Sequence, residues 1–137
     1  MPRRLPGWQQ WETDLQEMLG LDATICSGNQ WQDTGDAVDN TNPRDNGFRL
    51  LVDGKYTDGV GWPVPMKTVH QWLETAVEKG RRGMVAVRSW PRGQFGPRDY
   101  VILDANDFAE LYEKAKLYDK ALVAHLNPGD ASLKVVP

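Results

Sequence analysis

Asp53 and Lys55 are the residues whose types and spacing are best suited to chemistry. They stand two apart in Leu50-Leu51-Val52-Asp53-Gly54-Lys55-Tyr56-Thr57. Side chains alternate along a strand, so both leave the same face. Burying either charge alone is costly, so the pair must meet solvent, a metal or each other. Upstream, Asp36 follows a glycine in Thr34-Gly35-Asp36-Ala37-Val38-Asp39. Two carboxylates brought to one spot repel unless something positive lies between them. Mg²⁺ or Mn²⁺ is the natural occupant, since hard divalent ions take oxygen ligands and retain waters. A lysine beside such an ion polarises a water or steadies charge developing on a phosphate. The chemistry this implies is phosphodiester hydrolysis.

Simpler readings stand beside that one. Asp53 and Lys55 form an ordinary ion pair if nothing else converges on them. Asp36 is also a candidate turn residue bonding its own backbone, and Asp39 is its rival as the second acid. Ser27 beside Gly28 reads equally as a plain turn. His70, His125 and the single cysteine, Cys26, lack the spacing of a zinc site. Nothing ties Ser27 or Cys26 to a histidine–acid pair, and no phosphate-binding loop of the G-x-x-x-x-G-K type occurs.

Several elements must position these residues. Trp8, Trp11, Leu15, Met18 and Leu19 repeat at helical spacing and predict a helix over about residues 7–19, stopped by Gly20. Asp22 to Gly28 reads as a short first strand. Residues 28–47, dense in Gly, Asn, Asp and Pro, read mostly as loop. Phe48 to Thr57 is a second strand, and its Leu-Leu-Val run predicts burial on both faces and a central place in the sheet. Met66, Val69, Trp72, Leu73, Ala76 and Val77 mark a second helix closed by Gly80. Gly83 to Trp90 and Asp99 to Asp104 are further strands around the loop 91–98. A last helix begins near Ala105, with Asp107 near its N-cap and Phe108, Leu111, Tyr112 and Ala115 on one side. The strand–helix–strand unit from Phe48 to Trp90 predicts a right-handed parallel crossover. Helices between short apolar strands give an α/β class, a central mixed sheet flanked by helices.

The chain has 137 residues, 40% hydrophobic and 26% charged, which suits one ordinary domain able to bury a core. The whole chain is expected to be a single domain, with its core over about 8–118 and a loosely held tail over about 126–137. Apolar runs are too short for a membrane span, and the first residues lack the apolar stretch of a secretory signal. A lone cysteine is compatible with a reducing, cytoplasmic setting. The net charge of −3 argues mildly against nucleic acid. Acids gathered around a divalent ion, however, lower the formal charge without repelling a substrate once the ion is bound. The arginines Arg81, Arg82, Arg88, Arg92 and Arg98 also fall together within residues 81–98, with Asp99 just beyond.

Asp36 followed by Asp53-Gly54-Lys55 resembles the PD-(D/E)XK nuclease motif. Glu12, with Leu15, Met18 and Leu19 after it at helical spacing, looks like the first-helix glutamate of the archaeal-type Holliday junction resolvases in that superfamily. Ile25-Cys26-Ser27-Gly28-Asn29-Gln30 resembles the Ser-Gly loop after their first strand. Glu78 to Arg88 is similar to the helix end, glycine and apolar strand that follow their lysine motif. Asp99 to Ala115 looks like their late strand and helix. The resemblance covers roughly residues 8–115. It implies a restriction-endonuclease-like fold and a Mg²⁺-dependent endodeoxyribonuclease, with Mn²⁺ a possible substitute. Asp36 and Asp53 would be metal ligands, Glu12 a third acid and Lys55 the catalytic lysine. Ser27 would lie near a phosphate, and Glu17 is the substitute for Glu12. The motif acid is Asp where Glu is commoner, the loop between the acids is long, and Trp90 to Arg98 replaces a plainer turn.

The resemblance further implies branched DNA as the partner, a homodimer making two symmetric cuts, and a genome-processing role in a bacterial or phage-infected cell. Arg81, Arg82, Arg88 and Arg92 would lie along a backbone-tracking groove or be a solvated face. Of the six tryptophans, Trp8, Trp11 and Trp72 read as core. Trp31, Trp62 and Trp90 stand at loop or strand ends, where stacking on unpaired bases is an option. Two alternatives differ in class or substrate. One is a nuclease-like fold that binds DNA or protein without cutting. The other is a related nuclease acting on duplex, flap or single-stranded DNA.

Overall fold

A computed structural model describes residues 7–24, 36–59 and 61–126. Ser27, Cys26, Trp31, most of the expected first strand and the C-terminal tail lie outside them. The chain divides into two compact units, Met1–Leu103 and Asp104–Pro137.

The first unit contains α1 (Gly7–Leu19), β1 (Ala37–Val38), β2 (Leu50–Thr57), α2 (Met66–Glu78), β3 (Arg82–Ser89) and β4 (Arg98–Ile102). The four strands form one mixed sheet in the order β1-β2-β3-β4. β2 is antiparallel to β1 and parallel to β3, while β4 returns antiparallel to β3. The connection through α2 is thus the expected parallel crossover. β1, hidden inside the polar stretch read as loop, is only two residues long, and Asp22 adds an isolated antiparallel bridge to Val38.

Alternation along the strands separates two apolar layers. Trp11 and Leu15 of α1 pack with Ala37, Val52, Met84 and Ala86. Val69 of α2 packs with Val85 and Val87, flanked by Trp62, Trp72, Leu73 and Ile102. Consecutive residues of β3 therefore face opposite helices, and the strand is buried from Gly83 through Arg88. β2 is central in order but buried only at Leu51 and Val52, because Asp53 and Lys55 follow them and β1 covers β2 only at Leu51 and Val52. Indoles lock both helices onto β3: Trp11 Nε1 donates to Ala86 O at 3.1 Å and Trp72 Nε1 to Met84 O at 3.2 Å. α2 ends in a Schellman pattern, with the Gly80 amide on Val77 O and the Arg81 amide on Ala76 O, each at 2.9 Å. The expected stripe on α1 is narrower than its spacing implied. Trp8, Met18 and Leu19 are exposed, since only the turn through Trp11 and Leu15 meets the sheet.

The second unit is built on α3 (Ala105–Leu126). Its N-cap is Asp104, whose Oδ1 accepts the Asn106 amide at 2.8 Å, and Asp107 stands near it in the first turn, as expected. No described residue of α3 is buried.

Candidate active site

Asp36 lies just before β1, and its position depends on a local irregularity. Ala37 pairs with Val52 in register, yet the Asp36 amide also donates to Val52 O at 2.8 Å. Two residues thus stand against one, the arrangement of a β-bulge, which re-aims a side chain. Asp36 turns with Ala37 toward the α1 face. Its Oδ2 accepts the Gly54 amide at 2.6 Å, and a Cβ at residue 54 would lie 3.2 Å from that oxygen and 3.1 Å from Leu15 Cδ1. Gln16 Nε2 of α1 donates to Asp36 O at 3.1 Å. α1 therefore grips Asp36 from above while Gly54 leaves room for it below.

Glu12, one turn before Gln16 on α1, reaches the same carboxylate. Burial, then the charge of Asp36, then a hydrogen bond to it raise the Glu12 carboxyl to about 7. The physical picture is a Glu12 carboxyl that favours its protonated form because it is buried against the oxygens of Asp36. Glu17, the substitute, is exposed. Asp39, the rival, is consumed by its own loop: its carboxylate accepts the Thr41 amide at 2.9 Å and Asn46 Nδ2 at 3.1 Å. Burial pushes the Asp39 acid up, but the Thr41 hydrogen bonds and the charges of Arg49 and Arg81 outweigh it and hold the carboxyl below its ordinary value.

Asp53 and Lys55 form the other half of the site. Lys55 Nζ lies 3.1 Å from Asp53 Oδ2, with the side chains 40% and 19% exposed respectively. Burial is the main reason the Asp53 carboxyl is raised; Lys55 lowers it and Asp36 raises it again. Because Asp53 and Lys55 alternate with Val52 and Gly54, they leave β2 on the face opposite α1. The four residues thus lie about the middle of β2 as two pairs on its two faces, Glu12–Asp36 and Asp53–Lys55, with Asp36 acting on both acids. The expected three-carboxylate convergence is not formed: among the described residues no three His, Cys, Asp or Glu side chains are grouped to hold a metal ion. The pair that fits one is Glu12–Asp36. Its donors are hard oxygens, and the contact between the two carboxyl groups marks where positive charge is wanted. A water-rich ion such as Mg²⁺ commonly takes only one or two carboxylates.

The arginines divide. Arg88 is 7% exposed, and its guanidinium grips Asp99 through Nε at 2.9 Å and Nη2 at 3.0 Å. It also bonds Asp14 and lies 4.3 Å over the Trp11 ring. Expected on a phosphate-facing surface, Arg88 is instead an internal tie between α1, β3 and β4. Arg81 donates to Asp39 O at 3.0 Å, Lys79 O at 3.1 Å and Asn40 Oδ1 at 3.1 Å. Arg82 lies over the ring of Phe48 at 5.1 Å. Arg92 is exposed, on the rim of a cleft of 530 Å³ lined also by Gly7, Gln10, Tyr56, Arg88 and Trp90.

Sequence reasoning gave no role to Gly54 and Gln16, which hold Asp36, or to Asp14 and Asp99, which hold Arg88. One signal was available. Arg88 and Asp99 are opposite charges at mirrored positions about the turn between β3 and β4, and they pair directly in the ladder. Among the described residues no helix is long and apolar enough to cross a membrane. No protein-family model matches the chain, and comparison with curated proteins and with solved structures also yields no match.

Proposed function

We propose that this protein is a metal-dependent DNA endonuclease with a restriction-endonuclease-like fold, and that its substrate is branched DNA such as a four-way junction. The observation that carries the reading is the contact of Glu12 with Asp36 beside the stretch of β2 that carries the Asp53–Lys55 pair. The α/β arrangement with a parallel β2–α2–β3 unit is compatible with it. Substrate shape and a two-fold dimer rest on the family resemblance.

In this reading Glu12 and Asp36 would hold Mg²⁺ or Mn²⁺, with Glu12 giving up its proton as the ion binds. Once bound, the ion supplies charge neutralisation at the attacked phosphate. Lys55 Nζ, steadied by Asp53, would reach a phosphate oxygen around the edge of β2, which β1 covers only at Leu51 and Val52, and would stabilise the charge that develops there. Gly54 keeps Asp36 fixed against β2, so that the geometry is set before substrate arrives.

One observation favours a second reading. Asp53 and Lys55 satisfy each other, and no three acids converge among the described residues, as in a fold that binds DNA without cutting it. Cleavage of a synthetic four-way junction beside matched linear duplex, in Mg²⁺ and then in EDTA, decides between the two. Symmetric Mg²⁺-dependent cuts in the junction, lost in Asp53→Asn and Lys55→Ala, are the expected result. Binding that both variants retain, with no cleavage of junction, duplex, flap or single strand, would leave the binding module standing.

A further inference from the structure

The turn after β3 builds a cleft that the proposed chemistry does not use. Trp90 directly follows the strand, its amide donating to Thr57 O at 2.9 Å. Its indole Nε1 donates to Gln94 O at 3.1 Å, so both ends of the residue are tied. The Gln94 amide closes a turn onto Pro91 O at 3.1 Å, and Gly93 at φ 89° supplies the positive φ of a type II turn. Arg92 is thereby held at the turn's apex. Across the cleft stands Tyr56, its ring pressed on Gly7, where a Cβ would meet Tyr56 Cζ at 2.4 Å. Tyr56 follows Lys55 directly on β2.

The cleft's volume of 530 Å³ falls within the roughly 300–1,000 Å³ typical of ligand sites. Its charge is distributed in a particular way. The floor cation, Arg88, is already bound by two carboxylates, Asp14 and Asp99, so the interior suits a neutral group rather than an anion. The exposed cation, Arg92, is at the rim. Trp90, 37% exposed and held in place, offers a stacking surface at little entropic cost.

We infer that this cleft takes one unpaired nucleotide of a DNA strand, its base inside against Trp90 and Tyr56 and its phosphate at Arg92. The choice of DNA as the polymer rests on the proposed nuclease function; the cleft's preference for an aromatic group with a phosphate outside does not. Stacking of this kind tolerates any base and adds affinity for single strands or open junctions over closed duplex.

Fluorescence anisotropy with labelled oligothymidylate in EDTA tests this, because binding is read without cleavage. Wild-type protein is expected to bind the single strand more tightly than matched duplex. Trp90→Ala is expected to weaken that binding at least about fivefold with the salt slope unchanged, and Trp90→Phe to restore most of it. Arg92→Ala is expected to lower the slope of log affinity against log salt by about 0.7, the loss of one single-strand phosphate contact. Single-strand binding unchanged in both alanine variants, with melting temperatures preserved, would overturn the inference, as would duplex bound as tightly as single strand. Free thymidine monophosphate displacing the oligomer at equal nucleotide concentration would also overturn it, by showing a mononucleotide site. Junction cleavage in Mg²⁺ is scored on the same proteins. Wild-type that binds but never cuts therefore fails the nuclease reading alone, and alanine variants that bind normally while cutting fail this one alone.

Discussion

The Gly54 amide donates to Asp36 Oδ2 at 2.6 Å, and the missing side chain of residue 54 is what lets the carboxylate come so near. The glycine between the motif acid and the lysine is thus part of the site's construction. It faces α1 while its neighbours Asp53 and Lys55 face away, so a single residue of β2 separates the two charge pairs.

Gly54→Ala should therefore damage the site more than the fold. The added methyl would sit 3.1 Å from Leu15 Cδ1 and 3.2 Å from Asp36 Oδ2, contacts that force shifts of a few tenths of an ångström. A stability loss of about 1–3 kcal/mol is expected, the usual range for overpacking. Junction cleavage should fall more steeply, by about 100-fold, as small misplacements of catalytic groups do. Urea unfolding and single-turnover cleavage measure the two effects, and cleavage within twofold of wild type would show that Asp36 need not be held there.

The burial of Glu12 against Asp36 gives stability a defined pH dependence in metal-free protein. The Glu12 carboxyl is raised in the fold from its ordinary 4.5 to about 7. Between these values the native state holds the proton that the unfolded state has lost. Stability therefore declines as pH rises from 4.5 to 7 and levels off above. Asp53 shifts in the same direction, so the informative quantity is the difference between wild type and Glu12→Gln. That difference should change steadily across the window in EDTA, with the variant relatively more stable at pH 8. A difference constant with pH in urea titrations would mean that Glu12 does not meet Asp36.

Arg88 is expected to matter for stability and not for DNA. Arg88→Met leaves Asp14 and Asp99 facing each other without their common cation. Breaking a buried pair this way costs about 3–5 kcal/mol, and the low end applies because the two carboxylates are 29% and 27% exposed. Lysine should not rescue, as it cannot make the forked contact to Asp99. Urea unfolding reads the loss, and the salt slope of DNA binding should stay at its wild-type value. A stable Arg88→Met protein with a reduced slope would return Arg88 to the phosphate surface.

How much of this was legible in the sequence depended on whether the signal was local. α1 was found at its observed bounds because the 3.6-residue period of Trp11 and Leu15 and the stop at Gly20 are local. β2, α2, β3 and β4 were found for the same reason. β1 was missed because two residues leave no period, and only the ladder to Val52 defines them. Asp36 was preferred to Asp39 on the glycine before it, but what distinguishes the two is tertiary: one carboxylate meets α1 and the other its own loop. Arg88 was misplaced because a run of arginines looks the same whether it is solvated or buried. Its partners, Asp14 and Asp99, come from distant elements.

The last prediction concerns which carboxylates take the ion. A ligand present at ten times its Kd stabilises the native state by about 1.4 kcal/mol, which for a domain of this size raises the melting temperature by a few degrees. Mg²⁺ should produce such a shift in the wild type at pH 8. Glu12→Gln and Asp36→Asn should each abolish it, since the pair provides the oxygens that lie together. Lys55→Ala should preserve it, because the lysine supplies no ligand and its removal relieves a competing cation near Asp53. Asp53→Asn discriminates most. The alternation that sends Asp53 to the far face of β2 predicts that much of the shift survives, while cleavage, which needs Asp53 to steady Lys55, is lost. If Asp53→Asn removes the thermal shift as completely as Asp36→Asn does, the ion draws all three acids together, and binding must reorganise the middle of β2 around Gly54.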